Sequence, residues 1–582
     1  MYRSYLALLL SLSSCLTAAV NGTSASTSPD ITVIVVVDQM AYQYMPRIRP
    51  YLHSGLKNLF DQGIEYTNAY FPHGTTATGT GHAGLSTGTY ACTHGIIGNR
   101  WFDKAGNPVH CDQAFGDNAA IFNGHPGKHS YPKSAQQLLA DTISDQFVLA
   151  NPKNHTVYSI SLKSRAAIMT AGNLGRAIWF DSHTHQFTSS HAYFKNFPAW
   201  IAQKNMLLHT NGQNYHWTSC FPLDNPAYSS VLPSTYSYVE ENVPRINQTI
   251  PAQPAVKTER RERYSGDPYD AFLLTPAANQ MVLDLATDCL HTELAENKEK
   301  RIILWVCLSS LDKLGHFYGP HSFEIVDMLY HLDNQLGAFM AQIKTRFNQK
   351  ETLFILTADH GMAPIPEVLN DLGYAPACRI PMHKHMKTLN DQIAARFGVN
   401  DLIRAYKSPQ LFFDMEQFGI LPAPTRFAIE KMVKDFLHQQ PGVKNVWTFK
   451  ELEKTPCYPS EAVDFLKKQL FQGRSGHITI LPEPYCIDSD WHYGTDHRTP
   501  YEYNTHVPLT FWWPSRLKAS KISTKVWALQ LANSLAALLG VDKPSACPFE
   551  ALPGLEEAIS QPNQQEMPVD QVFDQGNFQA IH

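Results

Sequence analysis

The sequence predicts an α/β fold: a mostly parallel sheet sandwiched by helices, with inserted cap segments. Three observations predict it. Short apolar runs rich in β-branched residues recur along the chain. Long stretches of helical periodicity separate several of them. Residues able to bind metals or attack electrophiles stand at or just beyond the ends of those runs. Strands alternating with helices build a helix-covered, mostly parallel sheet, and ligands bind such sheets outside the carboxyl ends of the strands.

Strand Ile31–Val37 opens the core and ends at Asp38. A helical stretch, Tyr51–Phe60, follows, and Val157–Ser161 is the next strand. Helical periodicity over Asp270–Leu294 precedes strand Ile302–Leu308. A second long helix, Ser322–Phe347, precedes strand Leu353–Thr357. His506 precedes strand Val507–Phe511, and Lys525–Leu539 is the last clear helix. The core is thus assigned to 30–181, 269–364 and 501–545. Two stretches break the rhythm and read as caps beside the rim. Residues 182–268 are rich in aromatics, Asn, Ser and Pro. Residues 365–500 carry their own helices, Arg426–His438 and Glu461–Phe471, and strands, Gln410–Phe413, Val443–Thr448 and His477–Leu481. The 555–582 tail is Gln-, Asn- and Glu-rich and reads as peripheral. Lys257–Arg263 is a mixed charge run that reads as a solvated face.

Composition narrows the function. A chain of 582 residues with 43% hydrophobic and 17% charged residues is globular and can bury a large core. A formal net charge of -5 gives no support to nucleic acid as a dedicated partner. Residues 1–25 read as an export signal, with Arg3 in the charged region, Leu6–Leu12 as the apolar stretch and small residues Thr17, Ala18 and Ala19 after it. The expected location is the periplasm or the exterior. Leu12-Ser13-Ser14-Cys15 also matches a lipoprotein cleavage box, which would place a lipid anchor on Cys15. No later run has about 18 uninterrupted apolar residues, so no membrane-spanning helix is expected. Export permits disulfides among the 10 cysteines. Cys92 with Cys111, and Cys457 with Cys486, are candidates by nearness, whereas Cys307, inside an apolar run, reads as a buried thiol. Asn21, Asn154 and Asn247 stand in glycosylation acceptor triplets.

Seven residues carry the expected chemistry: Asp38, Thr78, Asp312, His316, Asp359, His360 and His506. Carboxylates and imidazoles gathered at one rim suit two divalent cations with a nucleophile between them. Asp312 and His316 are four apart, one helical turn, so both reach one ion. Asp359 and His360 are adjacent, and Gly361 permits the backbone turn that would let both ligate. Asp38 ends a strand with no charge along its length, where a carboxylate is costly without a counter-ion. Thr78-Gly-Thr-Gly-His82 leads into a helix expected at about Gly81, placing a hydroxyl where helix N–H groups favour an anion. A metal there can convert the hydroxyl into an alkoxide-like nucleophile.

These motifs, in this order, resemble the alkaline phosphatase superfamily. They are Val35–Met40 around Asp38, Thr78–His82, His94–Asn99, Asp312-x-x-x-His316, Ala358–Gly361 and Thr505–Pro508. The chain is most similar to the bacterial branch with a threonine nucleophile, related to nucleotide pyrophosphatase/phosphodiesterases. The resemblance spans about residues 30–540. It implies an alkaline-phosphatase-like core sheet and two Zn²⁺ ions. One would be held by Asp312, His316 and His506, the other by Asp38, Asp359 and His360, with Thr78 coordinated to it. Asn99 would donate its amide to a phosphate oxygen. Lys163-Ser-Arg165 follows a strand and resembles the pair that phosphomonoesterases of this branch place on substrate; an ammonium plus a bidentate guanidinium suits a doubly charged monoester. No cysteine begins the Cys-x-Pro-x-Arg motif of arylsulfatases. His492 and His497 lie near His506 in a His/Tyr/Gly-rich loop, and either is an alternative as a substrate contact or a replacement ligand; His506 is preferred because Thr-His-Val-Pro directly precedes a strand, as in the family motif. The expected activity is hydrolysis of small phosphate monoesters through a covalent phosphothreonine; the alternative is a nucleotide pyrophosphatase/phosphodiesterase.

Overall fold

The structure, a computed structural model, describes residues 28–555 apart from 123–130, 211–214, 232–238, 240–242, 244, 251–267 and 375. The signal, the lipid-box cysteine Cys15, Asn21, the Lys257–Arg263 run and the tail beyond 555 lie outside the described residues.

One sheet of nine strands organises the chain. In chain order they are β1 (Ile31–Val37), β2 (Ile64–Tyr66), β3 (His155–Ser161), β4 (Arg176–Asp181), β5 (Gln186–Thr188), β6 (Arg301–Leu308), β7 (Thr352–Thr357), β8 (Leu509–Trp512) and β9 (Ser520–Ile522). Across the sheet they run β9-β2-β8-β7-β1-β6-β3-β4-β5. The inner five, β7 to β4, are parallel, and β8 and β5 join them antiparallel. The register pairs Val37 with Leu308 and Val36 with Thr357, so β1, β6 and β7 end level. That alignment brings Asp38, the Ser309–Asp312 segment and Asp359 to one rim. Every residue of β1 and β7 is buried, as expected for strands covered on both faces.

Helices cover both faces. Gly55–Gln62, Pro276–Glu296 and Phe323–Arg346 are among them. Gly55 is where the first meets the third: a Cβ there would come within 2.3 Å of the Gly337 nitrogen. Among the described residues, no helix is long and apolar enough to cross a membrane.

Residues 376–500 build a second core of their own. Strands Ile403–Lys407, Gln410–Phe413, Ile478–Pro482 and Val443–Thr448 form a four-stranded sheet in that order. Helices Met382–Phe397 and Ala423–His438 contribute Leu389, Ile393, Ile429, Val433 and Leu437 to its apolar interior.

Four elements differ from expectation. Gln186–Thr188, inside the stretch read as the first cap, is an edge strand of the central sheet; three residues are too few to show a period. The Lys525–Leu539 stretch is a short strand, Val526–Trp527, then a 3₁₀ turn, and is α-helical only from Leu531. The expected helix over Asp270–Leu294 is broken before Pro276 into Pro268–Phe272 and Pro276–Glu296, because proline starts a helix but does not continue one. Among the cysteines, Cys486 lies beside Cys378, with sulfurs 2.8 Å apart, rather than beside Cys457. Cys111 is buried and Cys92 exposed, and no bond joins them. Cys307 is buried inside β6.

Candidate metal centre and phosphate site

The rim beyond β1, β6 and β7 gathers acidic and imidazole groups. Asp38 is 1% exposed and Asp359 and His360 are wholly buried. Asp38 Oδ1 lies 3.4 Å from His360 Nε2, which is 3.5 Å from Asp359 Oδ2. Next to this set, Asp312 and His316 share helix Ser310–Tyr318, with Asp312 Oδ1 3.4 Å from His316 Nε2. His497 Nε2 lies 3.5 Å from the same Asp312 oxygen, and its ring stacks on His360 at 3.8 Å between centroids. Asp38, Asp359 and His360 form one group whose ligand atoms lie within 4.8 Å of one another; Asp312, His360 and His497 form a second, and His316, Asp496 and His497 a third.

Two imidazoles are oriented from behind. His360 Nδ1 is 2.9 Å from the Gly361 carbonyl and His497 Nδ1 is 2.7 Å from the Thr76 carbonyl. Those contacts commit the Nδ1 hydrogens and turn both Nε2 lone pairs toward the cluster, the arrangement that metal-binding histidines use. Asp38 Oδ1, Asp359 Oδ2 and His360 Nε2 are buried without any hydrogen-bond partner. Buried polar atoms are normally satisfied, so three orphaned acceptors facing one another fit a cation between them.

Charge makes the same demand. The Lys163 ammonium donates to these carboxylates, at 2.5 Å from Asp38 Oδ2 and also to Asp312 Oδ2, and the neutral Gln39 amide donates to Asp312 Oδ1. Burial, with Asp312 and Asp359 nearby, pushes the Asp38 carboxyl up to about 7 against the opposing pull of Lys163 and His360. Asp312 moves the other way: despite burial, Lys163, His316 and His497 hold it well below the usual carboxylate range. Three crowded carboxylates face one ammonium and the buried His82 imidazole. That ring lies 3.4 Å from Asp359 Oδ2 and is held above its ordinary value, against burial, by Cys307 and Asp359. Divalent cations would neutralise the negative charge that remains.

Thr78 is the first residue of helix Thr78–Thr87, three residues earlier than the helix start expected from sequence. The helix packs against the end of β7 through Gly81, where a Cβ would approach the Asp359 carbonyl to 2.5 Å. Asn99 Oδ1 accepts the Gly79 N–H at 2.7 Å, which leaves the Asn99 amide hydrogens to donate elsewhere. Lys163 caps helix Ser164–Ala171 in extended conformation, and Arg165 stands in its first turn. The two are therefore not neighbours along one extended stretch. Arg165 Nε is buried and has no hydrogen-bond partner.

His506 is not brought to this cluster. It begins a two-residue strand paired with Ala69–Tyr70. Its Nε2 is 2.9 Å from the Thr67 carbonyl, and its ring is stacked between Tyr42 and Tyr70 at 4.6 and 4.3 Å. His497 fills the place expected for His506. Its loop folds back onto the segment just before Thr78, where the Thr76 carbonyl takes the His497 ring and Thr76 Oγ1 the Arg498 N–H.

Gln39 is a residue that sequence reasoning missed. It holds a left-handed φ of 73° without being glycine. Its N–H donates to Asp359 Oδ1 at 3.1 Å, and its side-chain amide to both the carbonyl and Oδ1 of Asp312 at 3.2 Å. Backbone strain of this kind persists only where the surroundings enforce it; here it fixes carboxylates from both halves of the cluster.

The profile of the type I phosphodiesterase / nucleotide pyrophosphatase family matches residues 32–375. The chain belongs to this family. Among curated proteins it is 28% identical over 531 residues to alkaline phosphatase PhoV of Synechococcus elongatus, covering 89% of this chain and 91% of that protein. It is 27% identical over 553 residues to alkaline phosphatase PafA of Elizabethkingia meningoseptica, covering 90% and 94%. A solved structure of alkaline phosphatase PafA superimposes with a TM-score of 0.78 at 24% identity, over 91% of this chain and 99% of that one, which establishes the shared fold. All the rim residues up to His360 fall inside the family match; His497 and His506 lie beyond it.

Proposed function

We propose that this chain hydrolyses phosphate monoesters, with Thr78 as nucleophile and two divalent cations as cofactors. The observation that carries the reading is the set of orphaned acceptors, Asp38 Oδ1, Asp359 Oδ2 and His360 Nε2, beside a helix that begins at a threonine. Asp38, Asp359 and His360 would hold one cation with Thr78, and Asp312, His316 and His497 the other. His and Asp donors in threes suit zinc with a position left open. Bound there, the cations would lower the pKa of the threonine hydroxyl and neutralise charge on the transferring group.

The residues of the chain do the rest. Thr78 Oγ, freed of its proton, attacks phosphorus opposite the ester oxygen. The P–O bond breaks, the alcohol departs, and a phosphothreonine remains. Water then attacks that phosphorus, releasing phosphate and restoring the hydroxyl. Asn99, Lys163 and Arg165 supply N–H donors and positive charge to the phosphoryl oxygens. Monoester rather than diester substrates follow from two supports: the relatives named alkaline phosphatase, and the Lys163–Arg165 pair, which suits a dianionic phosphate.

Nucleotide phosphodiester hydrolysis is the second reading, favoured by the family's description. It needs a pocket for a second ester group. The described aromatics of the 182–268 stretch support it poorly, since Trp217 and Tyr228 are buried against Asp327. We also infer export, from the charged and apolar pattern of residues 1–25.

Nitrophenol release from p-nitrophenyl phosphate and from bis-p-nitrophenyl phosphate tests the reading. The expected result is a monoester preference abolished by chelator and restored by zinc. A large diester preference overturns the substrate class, and activity indifferent to chelator overturns the metal chemistry.

A further inference from the structure

Two cysteines face each other at the base of the second core. Strand Arg379–Ile380 pairs in parallel with Ile487–Asp488, Arg379 opposite Ile487 and Ile380 opposite Asp488. One step back along each strand stand Cys378 and Cys486. The Ile487 N–H donates to the Cys378 carbonyl at 2.9 Å, so the ladder reaches that level. Residues level with each other on neighbouring strands point to one face, with main chains about 5 Å apart, within the range of Cα separations a disulfide bridges. The side chains do meet: the sulfurs are 2.8 Å apart, both as free thiols. Among the described cysteines, no other two sulfurs are in contact. Gly442, at a φ of 84°, makes room for the pair, since a Cβ there would stand 2.3 Å from Cys378 Sγ and 3.2 Å from Cys486 Sγ. Cys486 is buried and Cys378 half-buried, so a reagent in solution reaches the pair through Cys378.

The position bears on the rim. Residues 378–486 enclose the four strands of the second core and helices Met382–Phe397 and Ala423–His438. Beyond Cys486 the chain runs into the loop that delivers Asp496 and His497. The same ladder holds that loop: the Arg379 guanidinium, paired with both Glu367 oxygens at 2.7 and 2.8 Å, donates to the Tyr493 carbonyl at 3.2 Å and the Gly494 carbonyl at 2.7 Å. A ladder of two residues a side is marginal by itself, and a covalent tie that closes a long stretch of chain constrains the unfolded state most.

We propose that Cys378 and Cys486 form a disulfide, and that this bond fastens the base of the second core so that the 489–500 loop keeps His497 at the rim. The inference rests on the export reading for its oxidising compartment; the pairing rests on the geometry alone. The oxidant is a small-molecule or protein disulfide. The Cys378 thiolate attacks one of its sulfurs and releases one thiol. Cys486 then attacks the Cys378 sulfur of the mixed disulfide and releases the second. The pair gives up two protons and two electrons, and the S–S bond of the oxidant becomes two thiols.

The full chain, incubated with oxidised glutathione, alkylated and digested without reductant, tests the pairing. The expected product is one pair of peptides joined through Cys378 and Cys486, lighter by two hydrogens than the separate thiol peptides and parted by a phosphine reductant. That reductant is expected to lower the wild-type melting temperature by about 5 °C or more and to speed amide hydrogen exchange across residues 489–500 by about tenfold or more. In the Cys378→Ser/Cys486→Ser double variant it is expected to change neither. Two alkylated thiols, or glutathione left on Cys378, overturns the pairing. A bond whose reduction leaves loop exchange unmoved overturns its hold on the loop. Where the double variant does not fold, the peptide map and the exchange of the wild type decide. A bond that forms with oxidised glutathione yet is missing from protein isolated from its native host, thiols blocked at lysis, upholds the pair and overturns the export reading instead.

Discussion

Two trios in this molecule, one wholly buried and one half-buried, each centre on a buried aspartate beside a histidine, and they differ in how their acceptors are satisfied. Asp38, Asp359 and His360 form the first; Cys220, Asp327 and His331 form the second, and either trio could span a metal by distance alone. At Asp327 every need is met. Oδ1 accepts from the Cys220 N–H at 2.8 Å and the Tyr228 hydroxyl at 2.6 Å, while Oδ2 accepts from Trp217 Nε1 at 2.7 Å and lies 3.3 Å from His331. His331 Nε2 is itself committed to the Thr218 carbonyl at 2.9 Å. That carboxylate fastens the 215–231 segment to helix Phe323–Arg346. At the rim, by contrast, three acceptors of the first trio have no hydrogen-bond donor. Aspartate beside histidine is structural where donors saturate it, and fits a cation where donors are withheld.

Substitutions sharpen that contrast. The largest effect is expected at Thr78. Thr78→Ala is expected to lower kcat/KM for p-nitrophenyl phosphate by about 10³-fold or more, with metal content and melting temperature unchanged; a fall below tenfold would break its assignment as nucleophile. Asp327→Ala is expected to act on the other axis. It strands Trp217 Nε1, the Cys220 N–H, the Tyr228 hydroxyl and His331, so unfolding free energy falls by about 3–5 kcal/mol, the cost of leaving a buried charge pair broken. Its metal content per folded chain stays at the wild-type value, and loss of metal there would erase the distinction between the clusters. Gln39→Ala removes one side-chain amide from Asp312 while the backbone N–H still serves Asp359, so roughly a tenfold loss of kcat with modest change in stability is expected, read from steady-state kinetics and thermal melts.

The smallest effect concerns pH. Burial alone would lower the His331 imidazole, but Asp327 and Cys220 outweigh it and raise it to about 10. A raised imidazole contributes stability that is fully present below its ordinary value and is lost as pH rises through the raised one. Wild-type melting temperature is therefore expected to decline as pH climbs from about 6.5 to about 10, and His331→Gln to show a shallower decline over that window. Equal slopes for the two proteins would remove His331 from the account.

Much of this was legible in sequence. The Ile31–Val37 run is a strand with the expected bounds because seven apolar residues, mostly β-branched, suit a position buried on both faces. Asp312 and His316 share a helical turn because four residues is one turn. The choice of His506 failed for a physical reason. Adjacency to a strand is a local signal, whereas the position of His497 is set by Thr76, more than four hundred residues away in the chain. The 489–500 loop has no period to read, and hydrogen bonds to distant residues such as Thr76 and Ala363 help to shape it. Gln39 was invisible for a similar reason, since a left-handed glutamine follows from its surroundings and not from its own preference. Its one clue was a long polar side chain directly after a strand-ending aspartate.

Metal content of three purified proteins tests the central claim most directly. Elemental analysis is expected to find about two divalent cations per chain in the wild type and in His506→Ala, and about one in His497→Ala. Equal loss of metal from the two variants, or a wild type without tightly held cations, would contradict it.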